Sequence, residues 1–360
     1  MVVQESEKVE EIILQESVLE KKPKSEILSI VIPTFNSSKL LSFCLEALEN
    51  QSASKSEFEV TIVDDGSSDE TAEMLSRFKV NSKLNLQWTT IINSGPGKAR
   101  NAGVAISSGS WIGFVDADVI PHPRWVENAI ELIHKKPYAG AFEGRTEVVP
   151  CRKITPFTHQ TENLDGGRYP TCNFLVRRSL AHFYPAYQIP FREDTDLAFS
   201  ILESGFQIIF APEMIVTHPP LAPRYSRPIS LARRYYYDGL LARRFPSRYK
   251  FELDAHRIVG LKIPHLKRKL YAFLAFSQIS FIGELISKFD RDRIFLFFLI
   301  YFLGLVFSAT ASLRHSKLRD LSLQDWLFFL PILNILPWVM GFSLFRGWFD
   351  FRGEPAFSKR

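Results

Sequence analysis

The sequence predicts an α/β fold with a mainly parallel sheet, followed by a C-terminal region of membrane-associated helices. From Ile27 to about Thr217, short apolar runs rich in β-branched residues alternate with segments of helical period, the mark of βαβ units. Of the 31 Phe in 360 residues, 16 fall between 271 and 360, so the two ends of the chain face different solvents. The same C-terminal part holds two uncharged stretches, Ile294 to Leu313 and Trp326 to Phe345. At about 1.5 Å per residue, each matches the ~30 Å hydrocarbon thickness of a bilayer.

In chain order, residues 1–26 carry seven Glu, four Lys and no Gly, which reads as a frayed tail. They contain no apolar core of the kind a secretory signal needs, so the following domain is expected to stay in the cytosol. Strands are expected at Leu28 to Ile32, Phe58 to Val63, Leu86 to Ile92 and Trp111 to Val115. Leu40, Leu41, Cys44, Leu45 and Leu48 repeat on one face of a helix that Ser37 or Ser38 can cap. Ser67 to Glu70 has capping-box spacing, so a second helix is expected directly after the second strand, with Asp64 and Asp65 at that strand's carboxyl end. Gly95 to Gly103 reads as a glycine-rich loop leading into a short helix and offering Lys98 and Arg100 to an anion. Its spacing is not GxGxxG, because Arg100 stands where the third glycine belongs, which speaks against a dehydrogenase. A helix after Arg192 should end at Gly205, and a closing strand should bring His218 to its exit.

The expected divisions are a tail over 1–26, an α/β domain over 27–222, a basic helical segment over 223–269 and apolar helices over 270–360. Leu270 to Gly283, a shorter uncharged run, suits the membrane interface, whereas Pro331, Asn334 and Pro337 allow a kinked or re-entrant second span. Lys288, Arg291, Arg293, Arg346, Arg352, Lys359 and Arg360 flank the two spans, against Arg314, Lys317 and Arg319 between them. The positive-inside rule then places the flanks in the cytoplasm, at a cell (inner) membrane. A net charge of +5 and a pI near 9.0 do not call for nucleic acid, and three cysteines without CxxC spacing exclude a disulfide framework or a thiolate zinc site.

The chemistry sits in three acidic groups: Asp64-Asp65, Asp116-Ala117-Asp118, and Glu193-Asp194 with Asp196. The first two end strands, the edge where open α/β sheets bind ligands. Crowded carboxylates there are costly unless a hard cation or a hydrogen-bonding ligand joins them. Each alone could equally be a cap or a turn, and His218 matters only if a metal needs an imidazole.

As a set, SIVIPTFN at 29 to 36, VDDGSSDET at 63 to 71, ARNAG at 99 to 103, FVDAD at 114 to 118 and REDTDLAF at 192 to 199 resemble glycosyltransferase family 2, inverting enzymes of GT-A fold. The resemblance spans about residues 27 to 220. It implies that Pro33, Thr34 and Phe35 line the nucleotide base, that Asp65 contacts that base with Arg100 close by, and that Asp116 meets the ribose or metal shell. It further implies that Asp118 coordinates Mn²⁺ or Mg²⁺ with His218 completing the site, that Asp194 is the general base, and that Asn173 and Glu193 stand on the acceptor side. The implied partners are a nucleotide-sugar donor, a UDP-sugar first among them, a lipid-linked or saccharide acceptor, and the membrane. The QxxRW run of processive members is missing, which favours single transfers. The rival expectations are a sugar nucleotidyltransferase, which lacks support because no glycine-rich loop follows the first strand, and an inactive scaffold of the same fold.

Overall fold

The computed structural model describes residues 28–149, 154–159, 161–253, 256–258, 261–263, 265–287, 291–313 and 320–358. The expected tail over 1–26, Cys151 and, among the basic flanks, Lys288, Arg314, Lys317, Arg319, Lys359 and Arg360 lie outside these residues. The described residues form two compact units, one from 28–149 and 161–219, the other from 154–159 and 220–358.

In the first unit, β1 (Leu28–Thr34), β2 (Phe58–Asp64), β3 (Leu86–Thr90) and β4 (Trp111–Val115) pair in parallel in the order β3-β2-β1-β4. β1, β2 and β4 are buried along nearly their whole length, as expected of strands covered on both faces. Beyond β4 the sheet continues with β7 (Asn173–Arg177), β6 (Ala141–Val148), β8 (Ile208–His218) and the two-residue β5 (Ile120–Pro121). β7 runs antiparallel to both neighbours, and β6 pairs with β8 in parallel, with a shift in register between Gly144 and Arg145. The expected closing strand is β8, whose last residue is His218.

The helices of this unit are α1 (Ser38–Glu49), α2 (Thr71–Asn81), α3 (Pro96–Ile106), α4 (Trp125–Lys135) and α5 (Glu193–Glu203). α1 buries Leu41, Cys44, Leu45 and Leu48, the predicted stripe without Leu40. Neither Ser37 nor the Ser67–Glu70 box caps by side chain. One carboxylate replaces both caps: Asp69 accepts the Ser38 N–H at 3.2 Å and, through its other oxygen, the Thr71 N–H at 3.1 Å and hydroxyl at 2.5 Å. Asn36, at φ 48°, completes the link between the two loops by donating its N–H to Ser67 Oγ and accepting the Ser68 N–H.

Residues 95–103 are not a loop. α3 begins at Pro96, whose fixed φ and missing N–H suit the first turn, directly after Gly95 at φ +92°. Gly103 presses α3 onto β1 and β2, where an added Cβ would stand 2.4 Å from Val31 Cγ1.

In the second unit, α6 (Arg227–Arg234), a 3₁₀ turn (Tyr235–Tyr237), α7 (Asp238–Arg244) and α8 (Pro246–Phe251) precede a hairpin of β9 (His256–Ile258) and β10 (Leu261–Ile263). Three long helices follow, α9 (Leu266–Ser287), α10 (Arg291–Leu313) and α11 (Leu323–Asp350), and all three are long and apolar enough to cross a membrane. The run at 270–283 is the middle of a 22-residue helix that begins in its basic flank at Leu266. α11 passes through Pro331 and Pro337 as one helix of 28 residues, not as two half-helices. The core here gathers Phe157, Ala232, Tyr271, Leu313, Phe329, Leu333, Leu336 and Met340.

Candidate active site

Register brings the acidic groups to one sheet edge. Thr34 pairs with Asp64 and Val31 with Phe114, so the ends of β1, β2 and β4 fall side by side. Asp65, directly past β2, donates its N–H to the Thr34 carbonyl at 2.8 Å. Its carboxylate accepts the N–H groups of Ser94 at 2.7 Å and Gly95 at 2.9 Å, one on each oxygen. Burial raises its proton affinity, against the pull of those two donors. Asp65 therefore shapes the turn that launches α3. Gly95 is required there: a Cβ would lie 2.3 Å from the Gln188 carbonyl oxygen. Beside this turn, Phe35 stands 48% exposed at the end of β1, whereas Thr34 is buried.

Arg100 is the hub of the edge. It is 3% exposed, on the face of α3 that turns to the sheet, while Lys98 on the same helix points to solvent. Its Nη2 donates to Asp116 Oδ1 at 2.7 Å and its Nη1 to Glu193 Oε1 at 3.4 Å. Burial disfavours the guanidinium charge, but the carboxylates of Asp116 and Glu193 outweigh it and raise the pKa. Arg100 therefore joins Asp116, just past β4, to the helix carrying Asp194, and it is buried on a helix between two carboxylates rather than open on a loop.

Glu193 and Asp194 open α5 after Arg192, a residue held in the left-handed region at φ 73°. Burial, and then the charge of Asp194, push the Glu193 carboxyl up to about 8, and its Oε2 has no hydrogen-bond partner among the described residues. Asp194 is half-buried, with its proton affinity also raised by burial; Oδ1 accepts the Thr195 N–H at 2.6 Å.

Asp118 meets His218 because the short β5 lies against β8, Ile120 opposite Thr217. Asp118 Oδ2 is 3.7 Å from His218 Nε2, and burial and the charge of Asp116 raise the Asp118 pKa. His218 Nδ1 lies 2.8 Å from the Pro219 carbonyl, which it can only satisfy as a donor. Its Nε2 then faces the Asp118 carboxylate, whose raised proton affinity lets a shared proton lie between them. A divalent cation can take that proton's place, and a ring with Nδ1–H on a carbonyl is in the tautomer that ligating histidines adopt. Among the described residues no three His, Cys, Asp or Glu side chains converge on one point. A Mg²⁺- or Mn²⁺-type ion held by one or two protein ligands and completed by substrate phosphates fits this pair.

Asn173 departs from its expected acceptor-side place. It is fully buried, its Nδ2 donates to the carbonyls of Arg145 and Met214, both at 2.9 Å, and its Oδ1 accepts Trp125 Nε1–H at 2.8 Å. An amide committed to three core partners builds the fold. Arg177 and Arg178 likewise cap carbonyls, of Ala139 and of Gly109 and Val104. Glu143 lies in none of the sequence motifs. It is 2% exposed and accepts the N–H groups of Gly167, Arg168 and Tyr169 and an amide N–H of Asn163, fixing a loop with left-handed Gly166, Gly167 and Tyr169. No sequence spacing signals it, because its partners are backbone groups.

A mixed α/β sheet with three acidic groups and a buried arginine at its carboxyl edge defines a GT-A-like domain of the kind that handles nucleotide-activated sugars. Residues 29–196 match the model of glycosyl transferase family 2. It is 34% identical over 108 residues to glycosyltransferase AglE of Haloferax volcanii, covering 29% of this chain and 34% of that one. It is 40% identical over 92 residues to the poly(ribitol-phosphate) beta-glucosyltransferase of Bacillus spizizenii, covering 25% of this chain and 14% of that one. These matches span about a third or less of those relatives' lengths. In structure it resembles the mannosyltransferase PcManGT of Pyrobaculum calidifontis, solved with GDP-Man and Mn²⁺, at a TM-score of 0.52 and 16% identity, over 94% of this chain and 93% of that one. At that identity the likeness speaks for the fold.

Proposed function

We propose that the protein is an inverting, metal-dependent glycosyltransferase that moves a sugar from a nucleoside-diphosphate donor to a hydroxyl or phosphate acceptor, lipid-linked and held at a membrane. The observation that carries this reading is the Asp118–His218 pair, a carboxylate and an imidazole nitrogen 3.7 Å apart, beside the Arg100–Asp116 bridge. Asp118 and His218 would hold Mn²⁺ or Mg²⁺, which when bound supplies positive charge against the departing diphosphate. Phe35, exposed at the end of β1, offers a ring face to the base. The PcManGT complex with GDP-Man and Mn²⁺ and the family match support a nucleotide sugar as donor.

For a hydroxyl acceptor, Asp194 takes the proton as the acceptor oxygen attacks the anomeric carbon. One carbon–oxygen bond forms while the bond to the diphosphate breaks, and the electron pair leaves with the phosphate. Attack from the face opposite the leaving group inverts that carbon. The raised proton affinity of Asp194 suits a general base, worth about 10²- to 10⁴-fold in rate. Arg100 does not touch the donor in this mechanism. It holds the donor strand and the α5 N-terminus in fixed relation, so the base stays aligned while the acceptor enters. The three apolar helices and the arginines of α6 and α7 support attachment to a membrane carrying anionic lipid.

The test is release of nucleoside diphosphate from UDP-, GDP- and dTDP-sugars by the detergent-purified protein with Mn²⁺, with and without membrane lipid extract. Turnover of one donor that Asp118→Ala and Asp194→Ala both abolish is the expected result. Turnover unchanged in either variant refutes the assignment of that residue.

A further inference from the structure

The buried residues of α11 include Phe329, Leu333, Leu336, Met340, Ser343 and Gly347, spaced four and three apart. That spacing is one straight stripe from the second turn to the last. Along it lie α6, the 3₁₀ turn and α7. Tyr225, just before α6, stacks on Phe328 at 4.4 Å, and Ala232 shares a core with Phe329, Leu333, Leu336 and Met340. Gly347 is so close to Tyr236 that an added Cβ would stand 1.8 Å from its carbonyl oxygen, and Tyr236 and Tyr237 meet Phe351 at 4.9 and 5.8 Å. Contact thus follows α11 from Phe328 to Phe351, roughly 35 Å of helix, which exceeds the ~30 Å hydrocarbon layer.

The covering segment carries Arg227, Arg233, Arg234, Arg243 and Arg244, with Arg233 and Arg243 exposed and Arg243 seated over the Trp348 ring at 5.6 Å. If α11 crossed a bilayer, this segment would accompany it through the whole hydrocarbon layer, and every arginine would oppose insertion. Laid parallel to the membrane, the same pair suits a single leaflet. Leu330, Ile335, Phe342, Phe345 and Phe349, each more than 40% exposed, then enter the acyl region while the arginines reach the headgroups.

We infer that α11 lies along one leaflet of an anionic membrane rather than across the bilayer, so that both of its ends stand on the same side. This rests on the membrane attachment proposed above, and it replaces the second of the two spans that composition suggests. The experiment uses full-length protein carrying Cys151→Ser, with Leu323→Cys before the first contact or Ser358→Cys after the last; Leu323 is 78% exposed, and Cys44 and Cys172 are buried. Detergent-diluted protein is added to preformed vesicles of phosphatidylcholine and phosphatidylglycerol, floated, and treated with a membrane-impermeant maleimide before and after vesicle lysis. Both cysteines should label almost completely before lysis. Arg233→Gln with Arg243→Gln should weaken flotation about tenfold on these vesicles and little on pure phosphatidylcholine. Flotation with one cysteine protected until lysis overturns the inference and leaves membrane attachment standing. Failure to float, with light scattering showing a dimer, overturns both, since a second copy then covers the apolar face.

Discussion

Arg100→Met is the sharpest perturbation the edge allows, because it removes one buried cation and leaves its two carboxylates in place. Removing one partner of a buried pair costs about 3–5 kcal/mol, a large share of the ~5–15 kcal/mol that holds a domain folded. Here the cost should fall near 3 kcal/mol, since the Asp116 side chain is 32% exposed and keeps water, while Glu193 already holds its proton below about pH 8. Glu193→Gln should behave oppositely. Its carboxyl titrates near 8 in the fold against 4.5 for the free group, so the folded state holds a proton that the unfolded state has released between those values. Stability of the wild type is therefore full below about pH 4.5, falls with rising pH by at most about 1.4 kcal/mol per unit, and levels off above pH 8. The Gln variant should lack that slope and cost less than about 1 kcal/mol at pH 7. Pulse labelling of the buried thiols of Cys44 and Cys172 during urea unfolding, in a Cys151→Ser background, follows this unit alone. An Arg100→Met cost under about 1 kcal/mol, or a Glu193→Gln cost equal to it, would refute the hub.

Three further outcomes follow from the packing. Asn173→Ala strands Trp125 Nε1 and the carbonyls of Arg145 and Met214, and should lower stability by about 2–4 kcal/mol in the same labelling assay; an unchanged midpoint would return Asn173 to the cleft. Gly103→Ala forces α3 off Val31 at about 1–3 kcal/mol, and a neutral result would mean that α3 is free to shift. Glu143→Gln releases backbone donors at 167–169 and should speed proteolytic nicking of that loop about tenfold, with the global melting temperature nearly unchanged.

The parallel strands were legible because both faces are buried and their apolar runs are unbroken, as at Leu28 to Ile32. The acidic edge was legible for a related reason: three acidic groups together are more than caps and turns require, although Asp65 does hold a turn. What stayed hidden depends on partners distant in sequence. Arg100 looked like an open cation in a glycine-rich loop until Gly97 and Gly103, which read as flexibility, proved to be the close-packed face of a helix. Asn173 looked available because nothing nearby in sequence shows Trp125 reaching it. The basic flank of α9 masked the length of that helix, since charge marks the end of an apolar run and not the end of a helix.

The shared carboxylate of Asp69 has a mechanical consequence. The loops after β1 and β2 form two walls of the edge where a nucleotide would sit, and Asp69 and Asn36 tie them at both backbone and side chain. Neither wall can swing without carrying the other. On the function proposed above, accommodation of different bases would be left to Phe35, the exposed ring at the end of β1, while the turn at Ser94 and Gly95, clamped by Asp65, stays fixed. A substitution at Asp69 would be felt first as a blurred choice of base, and only afterwards as lost stability.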